Sequence, residues 1–196
     1  TGVLTTDAGS YNVVVSGSSP CAAVTSSDAV LVVNQVVAIS AQPAATQTVC
    51  TGNSVSFSVT ATGTGLTYQW RKGLLNLTDG GSISGASTNT FTINPVAAGD
   101  AAADYNVVIT GTAPCAAATS NNAALLVNDA VVITSQPATT QTVCSGSNVS
   151  FSVTSTGTGL TYQWRKGTTN LFNGGNISGA TTSTLTLTGV LTTDAG

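Results

Sequence analysis

Apolar and polar residues alternate along most of this chain with a period of two. In SVSFSVTA, Val55, Phe57 and Val59 fall on one side, and Ser54, Ser56, Ser58 and Thr60 on the other. LTYQWRKG places Leu66, Tyr68 and Trp70 on one face. TFTINPV does the same with Phe91 and Ile93, YNVVITG with Tyr105, Val107 and Ile109, and AALLVN with Leu125 and Val127. Successive side chains of an extended strand point to opposite faces, so each run predicts a strand with one buried side. Helical periodicity is nowhere sustained. TGTG, DGGSISGAST and GTAP separate the runs and supply turns. Val, Ile and Thr dominate the runs, as suits a pleated surface. About seven such strands in some 94 residues predict an all-β sandwich.

The same pattern recurs. Cys21 maps to Cys115, Cys50 to Cys144, Tyr11 to Tyr105 and Trp70 to Trp164, each 94 positions apart. Residues 41–73 match 135–167 at all but six positions. One complete repeat therefore spans 34–128, with the C-terminal part of a repeat before it (1–33) and the N-terminal part of another after it (129–196). The segment TGVLTTDAG stands at both ends of the chain. This duplication favours a window cut from a longer tandem array. The alternative is a protein of two repeats whose ends complete each other between molecules; a donated strand would have no use for the duplicate.

Composition narrows the function. Only 6% of residues are charged, against about a quarter in ordinary domains, and the net charge is −3. There is no His, Met or Glu; the cations are Arg71, Lys72, Arg165 and Lys166. Such a surface creates little long-range field, which argues against a nucleic-acid or anionic-membrane partner. No run of ~20 apolar residues is present to span a membrane. Nucleophilic catalysis needs a base beside the nucleophile, and neither His nor Glu is available, so no enzyme and no cofactor is expected. The acids are too sparse to supply the several oxygens that Ca²⁺ requires, either at Asp100 and Asp104 or at Asn128 and Asp129. Core packing accounts for Trp70, Trp164 and the tyrosines better than a sugar platform does. Phe172, where the complete repeat has Thr78, is the one aromatic without a core slot.

The order of landmarks resembles the immunoglobulin fold. A strand B after Gly52 is followed by YQW on strand C, TFTI on strand E, and an Asp–Tyr pair at the start of strand F, written DAGSYNV in the first copy and DAAADYNV in the second. The resemblance makes Trp70 and Trp164 core tryptophans and Tyr105 the tyrosine corner. The second copy has one extra residue between Asp100 and Tyr105, so a distorted turn is expected there. Val59 and Val107 stand where that family carries its inter-sheet disulfide, so a hydrophobic contact replaces the covalent one. The wider combination of VCxG, YQW, ISGA and C…TSN is similar to the Ig-like repeats of large Bacteroidota surface proteins, including adhesins of gliding bacteria. That resemblance implies an extracellular, cell-surface location and a spacer role. With two or three residues joining one repeat to the next, tandem repeats would form a stiff rod or filament.

Cys21, Cys50, Cys115 and Cys144 are the candidate disulfide residues, expected to be oxidised in a secreted chain. Pairing Cys50 with Cys115 inside the repeat is the simple reading. Ig strand geometry argues against it: with Val59 and Val107 level, Cys50 lies about five strand positions below and Cys115 about five above. That separation is ~30 Å, and a disulfide needs Cα atoms within roughly 7 Å. The favoured reading pairs Cys50 with Cys21 of the following copy and Cys115 with Cys144 of the preceding one. The expected partners are thus identical repeats placed head to tail, with lateral bundling allowed by the low charge. The expected function is a structural segment of a surface filament or adhesin stalk. The rival is an adhesive module that recognises a surface glycan or protein.

Overall fold

A computed structural model describes residues 2–195; Thr1 and Gly196, the outer limits of the two partial repeats, lie outside the described residues. The architecture is all-β, and among the described residues the only helical pieces are three-residue 3-10 turns at Thr5–Asp7, Ala98–Asp100 and Thr192–Asp194. In the first partial repeat, β1 (Gly9–Tyr11) pairs antiparallel with β4 (Ala29–Leu31), and β2 (Val14–Val15) with β3 (Val24–Thr25).

The complete repeat builds two facing sheets. Its strands are β5 (Ala38–Ala41), β6 (Thr46–Cys50), β7 (Val55–Ser58), β8 (Thr60–Thr62), β9 (Thr67–Lys72), β10 (Leu75–Asn76), β11 (Ile83–Ser84), β12 (Thr90–Ile93), β13 (Ala102–Thr110), β14 (Ala118–Thr119) and β15 (Ala123–Asn128). One sheet runs β10-β9-β13-β15-β6, with β14 also on β13; the other runs β11-β12-β7. β5 pairs with β8. The alternation read from the sequence sets the inward faces: Val55, Phe57, Val59, Phe91 and Ile93 from one sheet meet Trp70, Tyr105, Val107, Ile109 and Leu125 from the other, all buried. Val107 lies directly opposite Trp70 on the neighbouring strand. Trp70 and Phe91 stack at 5.6 Å between ring centroids, as do Phe57 and Tyr105.

The second partial repeat forms β16 (Val132–Ser135), β17 (Val149–Ser152), β18 (Thr154–Thr156), β19 (Arg165–Lys166), β20 (Thr169–Asn170), β21 (Ile177–Ser178) and β22 (Thr184–Leu187). Its β17-β22-β21 sheet repeats β7-β12-β11 in the same register, Phe151 opposite Leu185 as Phe57 is opposite Phe91. The described chain divides into two compact units. One holds residues up to Val49 with Asn53–Val96 and Asp100–Leu126; the other holds Cys50–Gly52, Ala97–Gly99 and the residues from Val127 onward.

Candidate functional site

Chemistry in this chain concentrates in three places: the core aromatics, the joints and the cysteines. In the core, Trp70 donates its indole N–H to the Thr88 carbonyl at 2.9 Å. Tyr105 donates its hydroxyl to the Asp100 carbonyl at 2.7 Å, and Tyr11 makes the same bond to Asp7. The tyrosine corner therefore forms in both copies despite the extra residue. That residue is absorbed as a bulge in β13, where the register against β15 shifts between Ala102 and Tyr105. Burial, with Asp100 and Asp104 adding negative charge, pushes the Tyr105 phenol up to about 12. Lys72 lies over its ring, 5.7 Å from the centroid.

Beside this corner sits a residue the sequence did not flag. Asn106 is buried, accepts a hydrogen bond from Arg71 Nε at 3.0 Å, and donates to the carbonyls of Gly73 and Asp104, each at 3.0 Å. It ties β9, the turn after it and β13 together. The sequence signal was available: Asn12 holds the same position in the first copy, and its amide donates to Asp28 at 2.8 Å. Arg71 lies directly opposite this asparagine on the neighbouring strand.

At the joints, the hydroxyl of Thr64 accepts from Gln35 N–H at 2.8 Å while Thr64 N–H donates to the Gln35 carbonyl at 3.2 Å. Thr158 grips Asp129 with the same two bonds at the same distances. Gly63 and Gly157 make this grip possible. Both have positive φ, and a Cβ on Gly157 would come within 3.0 Å of Val131 Cα, while one on Gly63 would meet Val37 Cα at 3.3 Å.

Cys115 and Cys50 lie at these joints. The Cys115 thiol donates to the Asn34 carbonyl at 3.7 Å, and Asn34 donates its side-chain amide to the Ala113 carbonyl at 3.0 Å. Cys50 ends β6; the next residue, Thr51, donates its N–H to the Asn128 carbonyl at 2.8 Å and accepts from Ala130 N–H at 3.1 Å. The complete repeat thus carries one cysteine at each end, with the nine-residue β13 running between them. All four cysteines are unpaired thiols within the chain, and Cys21, Cys50 and Cys144 are exposed. The pairing of Cys50 with Cys115 inside one repeat is not made.

The partial repeats expose what the complete one buries. Tyr11, Val13, Val15 and Leu31 correspond to Tyr105, Val107, Ile109 and Leu125; the first four are exposed and the second four buried. Trp164 is half-buried, and an open groove lined by Val149, Phe151, Leu187, Val190 and Leu191 runs beside the 139–143 segment. Phe172 is 75% exposed. Among the described residues, no group of three or more His, Cys, Asp or Glu side chains could hold a metal ion, and no helix is long and apolar enough to cross a membrane.

No protein-family model and no curated protein sequence matches this chain. Solved structures do. The chain is similar to the I-band fragment I67-I69 of titin, with a TM-score of 0.73 at 17% identity over 99% of this chain and 69% of that one. Similarity to immunoglobulin domains 1-4 of Sidekick-1 has a TM-score of 0.61 at 18% identity, over 99% of this chain and 54% of that one. The extracellular domains 3-5 of Drosophila OTK give 0.62 at 18%, over 99% and 65%. These likenesses, spread over nearly the whole chain, show that its fold is that of tandem immunoglobulin-like domains.

Proposed function

We propose that this chain is a structural segment of a secreted filament or adhesin stalk, assembled from identical Ig-like repeats placed head to tail. The observation that carries the reading is the match between two unfilled halves. The 129–196 segment presents Trp164 and the groove over Val149 and Phe151. The 2–33 segment presents Tyr11, Val13, Val15 and Leu31, the residues whose counterparts close that groove in the complete repeat. Joining them, whether along a longer chain or between copies, would restore a second sandwich. Burying large apolar side chains contributes about 1.5–3 kcal/mol each, so the driving force is substantial. Catalysis has no support, because no His or Glu exists to act as a base. A cell-surface location and an origin among Bacteroidota adhesins rest on the motif resemblance. The low charge leaves little repulsion to oppose side-by-side packing of filaments.

Sedimentation of the purified chain, followed by electron microscopy, tests the assembly. Concentration-dependent, unbranched linear polymers are expected, with the 161–164 backbone gaining amide-exchange protection on assembly. A monomer at all concentrations would overturn it. An adhesive role is favoured by one observation, the exposed Phe172 in a Gly-rich turn where the complete repeat has Thr78. Binding of the chain to a glycan array that is lost in Phe172→Ala would support that second reading, and no binding would leave the spacer role alone.

A further inference from the structure

Asn34 and Asn128 are the same residue of the repeat, 94 positions apart. Each sits in a joint, and the structure shows the two joints from opposite sides. At the first, the carbonyl of Asn34 accepts from the thiol of Cys115, which belongs to the repeat that follows the joint, at 3.7 Å. At the second, the carbonyl of Asn128 accepts from the N–H of Thr51, which belongs to the repeat that precedes the joint, at 2.8 Å. A carbonyl oxygen has two lone pairs and can accept both. Overlaying the joints therefore places a cysteine thiol from the following repeat and the residue after Cys50 on one oxygen atom. Cys50, one residue before Thr51, and that thiol then flank the same carbonyl group, and a disulfide between them requires Cα atoms about 4.4–6.8 Å apart.

We propose that each joint is closed by a disulfide between the cysteine that ends the second strand of one repeat (Cys50, Cys144) and the cysteine of the last turn of the next (Cys115, Cys21). This rests on the head-to-tail reading above. Between two copies of this chain it gives Cys50 with Cys21 of the following copy, and Cys144 with Cys115 of the following copy. The exposure of Cys50, Cys144 and Cys21 lets an oxidant reach them. The oxidant is a small-molecule disulfide such as oxidised glutathione. One cysteine thiolate attacks it, forming a mixed disulfide and releasing one glutathione thiolate. The second cysteine thiolate then displaces the other glutathione. Two protein thiols lose two protons and two electrons, and one small disulfide is reduced to two thiols.

The position of the cysteines has a purpose in this scheme. The repeat lacks the inter-sheet disulfide, having Val59 and Val107 there, and instead holds its sulfur at its two ends. The covalent bond thus strengthens the joint and leaves the sandwich to its aromatic core.

The test uses the whole chain, refolded reduced and then treated with oxidised glutathione. The expected product is a ladder on non-reducing electrophoresis that collapses with a reductant. Peptide mapping should show Cys50–Cys21 and Cys144–Cys115 linkages only, both between chains. Cys50→Ala should remove the first linkage and keep the ladder, and the double variant Cys50→Ala, Cys144→Ala should abolish the ladder. A Cys50–Cys115 peptide within monomers, or linkages between like cysteines, would overturn the proposal. Four free thiols in chains that still associate by sedimentation would overturn the staple alone. Four free thiols in monomers would overturn both the staple and the head-to-tail reading.

Discussion

The octapeptide LTYQWRKG occurs twice, at 66–73 and 160–167, with identical residues. In the complete repeat it forms a six-residue strand, Thr67–Lys72; in the second partial repeat only Arg165–Lys166 is strand. The difference lies in the neighbour. β9 pairs along its whole length with β13, and the described chain has no counterpart of β13 after residue 164. The 140–144 segment likewise loses the strand conformation of β6, whose partner is β15. What survives is what needs no neighbour. Trp164 still donates its indole N–H to Thr182 at 2.8 Å and its backbone N–H to Ala180, the same bonds that Trp70 makes with Thr88 and Ala86. The polar anchors of the tryptophan are local, and its burial is not. Strand propensity in this sequence is thus a fit to a partner surface and not a property of the backbone.

The comparison can be broken most forcefully at the tryptophans. Trp70→Ala should destabilise the complete repeat by roughly 3–5 kcal/mol, from lost transfer energy and a cavity. In unassembled chains Trp164→Ala should cost far less, and assembly should close that gap. Denaturant titrations of both variants, below and above the assembly concentration, measure it; equal costs in the monomer would contradict the difference in burial.

Alkaline pH sharpens the comparison next. Tyr105 has its folded pKa raised to about 12, against an unfolded value near 10. Above pH 10 the unfolded chain loses this proton and the folded repeat keeps it. The stabilisation is complete below pH 10 and is lost as pH rises through 12, by about 2–3 kcal/mol in all. Urea unfolding at pH 9, 11 and 12 should show it, and Tyr105→Phe should flatten the dependence.

Asn106→Leu should cost about 1–3 kcal/mol, because the half-buried Gly73 and Asp104 carbonyls and the Arg71 guanidinium lose their partner. Its counterpart Asn12 is exposed, so the same change there should stay within about 0.5 kcal/mol in the monomer. Thermal melts of the two variants would settle the contrast. The smallest effect belongs to the joint: Thr158→Val removes one hydrogen bond to Asp129 and should cost about 1 kcal/mol, read as faster amide exchange at Asp129.

The alternation of Val55, Phe57, Phe91, Ile93, Tyr105 and Val107 was enough to write the inward faces in advance, because a half-buried strand imposes period two on the sequence. The repeat of 94 residues was visible for the same reason: near-identical residues recur at a fixed spacing. The bulge in β13 was visible only as an extra residue in DAAADYNV, since its location depends on where the ladder to β15 can slip. Asn106 was hidden by the alternation itself. Period two assigns it to the solvent side, and only the approach of Gly73, Asp104 and Arg71 around it makes it a buried polar hub. The joints read as short linkers, and nothing in them announced that Thr64 and Thr158 would grip the residues just past the connection.

One feature of the topology bears on mechanical load. β6 lies near the start of the complete repeat and β15 ends it, and the two are hydrogen-bonded neighbours in one sheet. Tension applied through the preceding connection enters at β5, which β8 holds, and then β6, and it leaves through β15. The β5–β8 and β6–β15 bonds, with the Ala124 N–H to the Ala45 carbonyl at 2.8 Å, stand directly in the force path. Extending the repeat requires these two short pairs to part first. Resistance to pulling is therefore set by the rate at which short terminal ladders rupture, and not by the free energy of the whole sandwich.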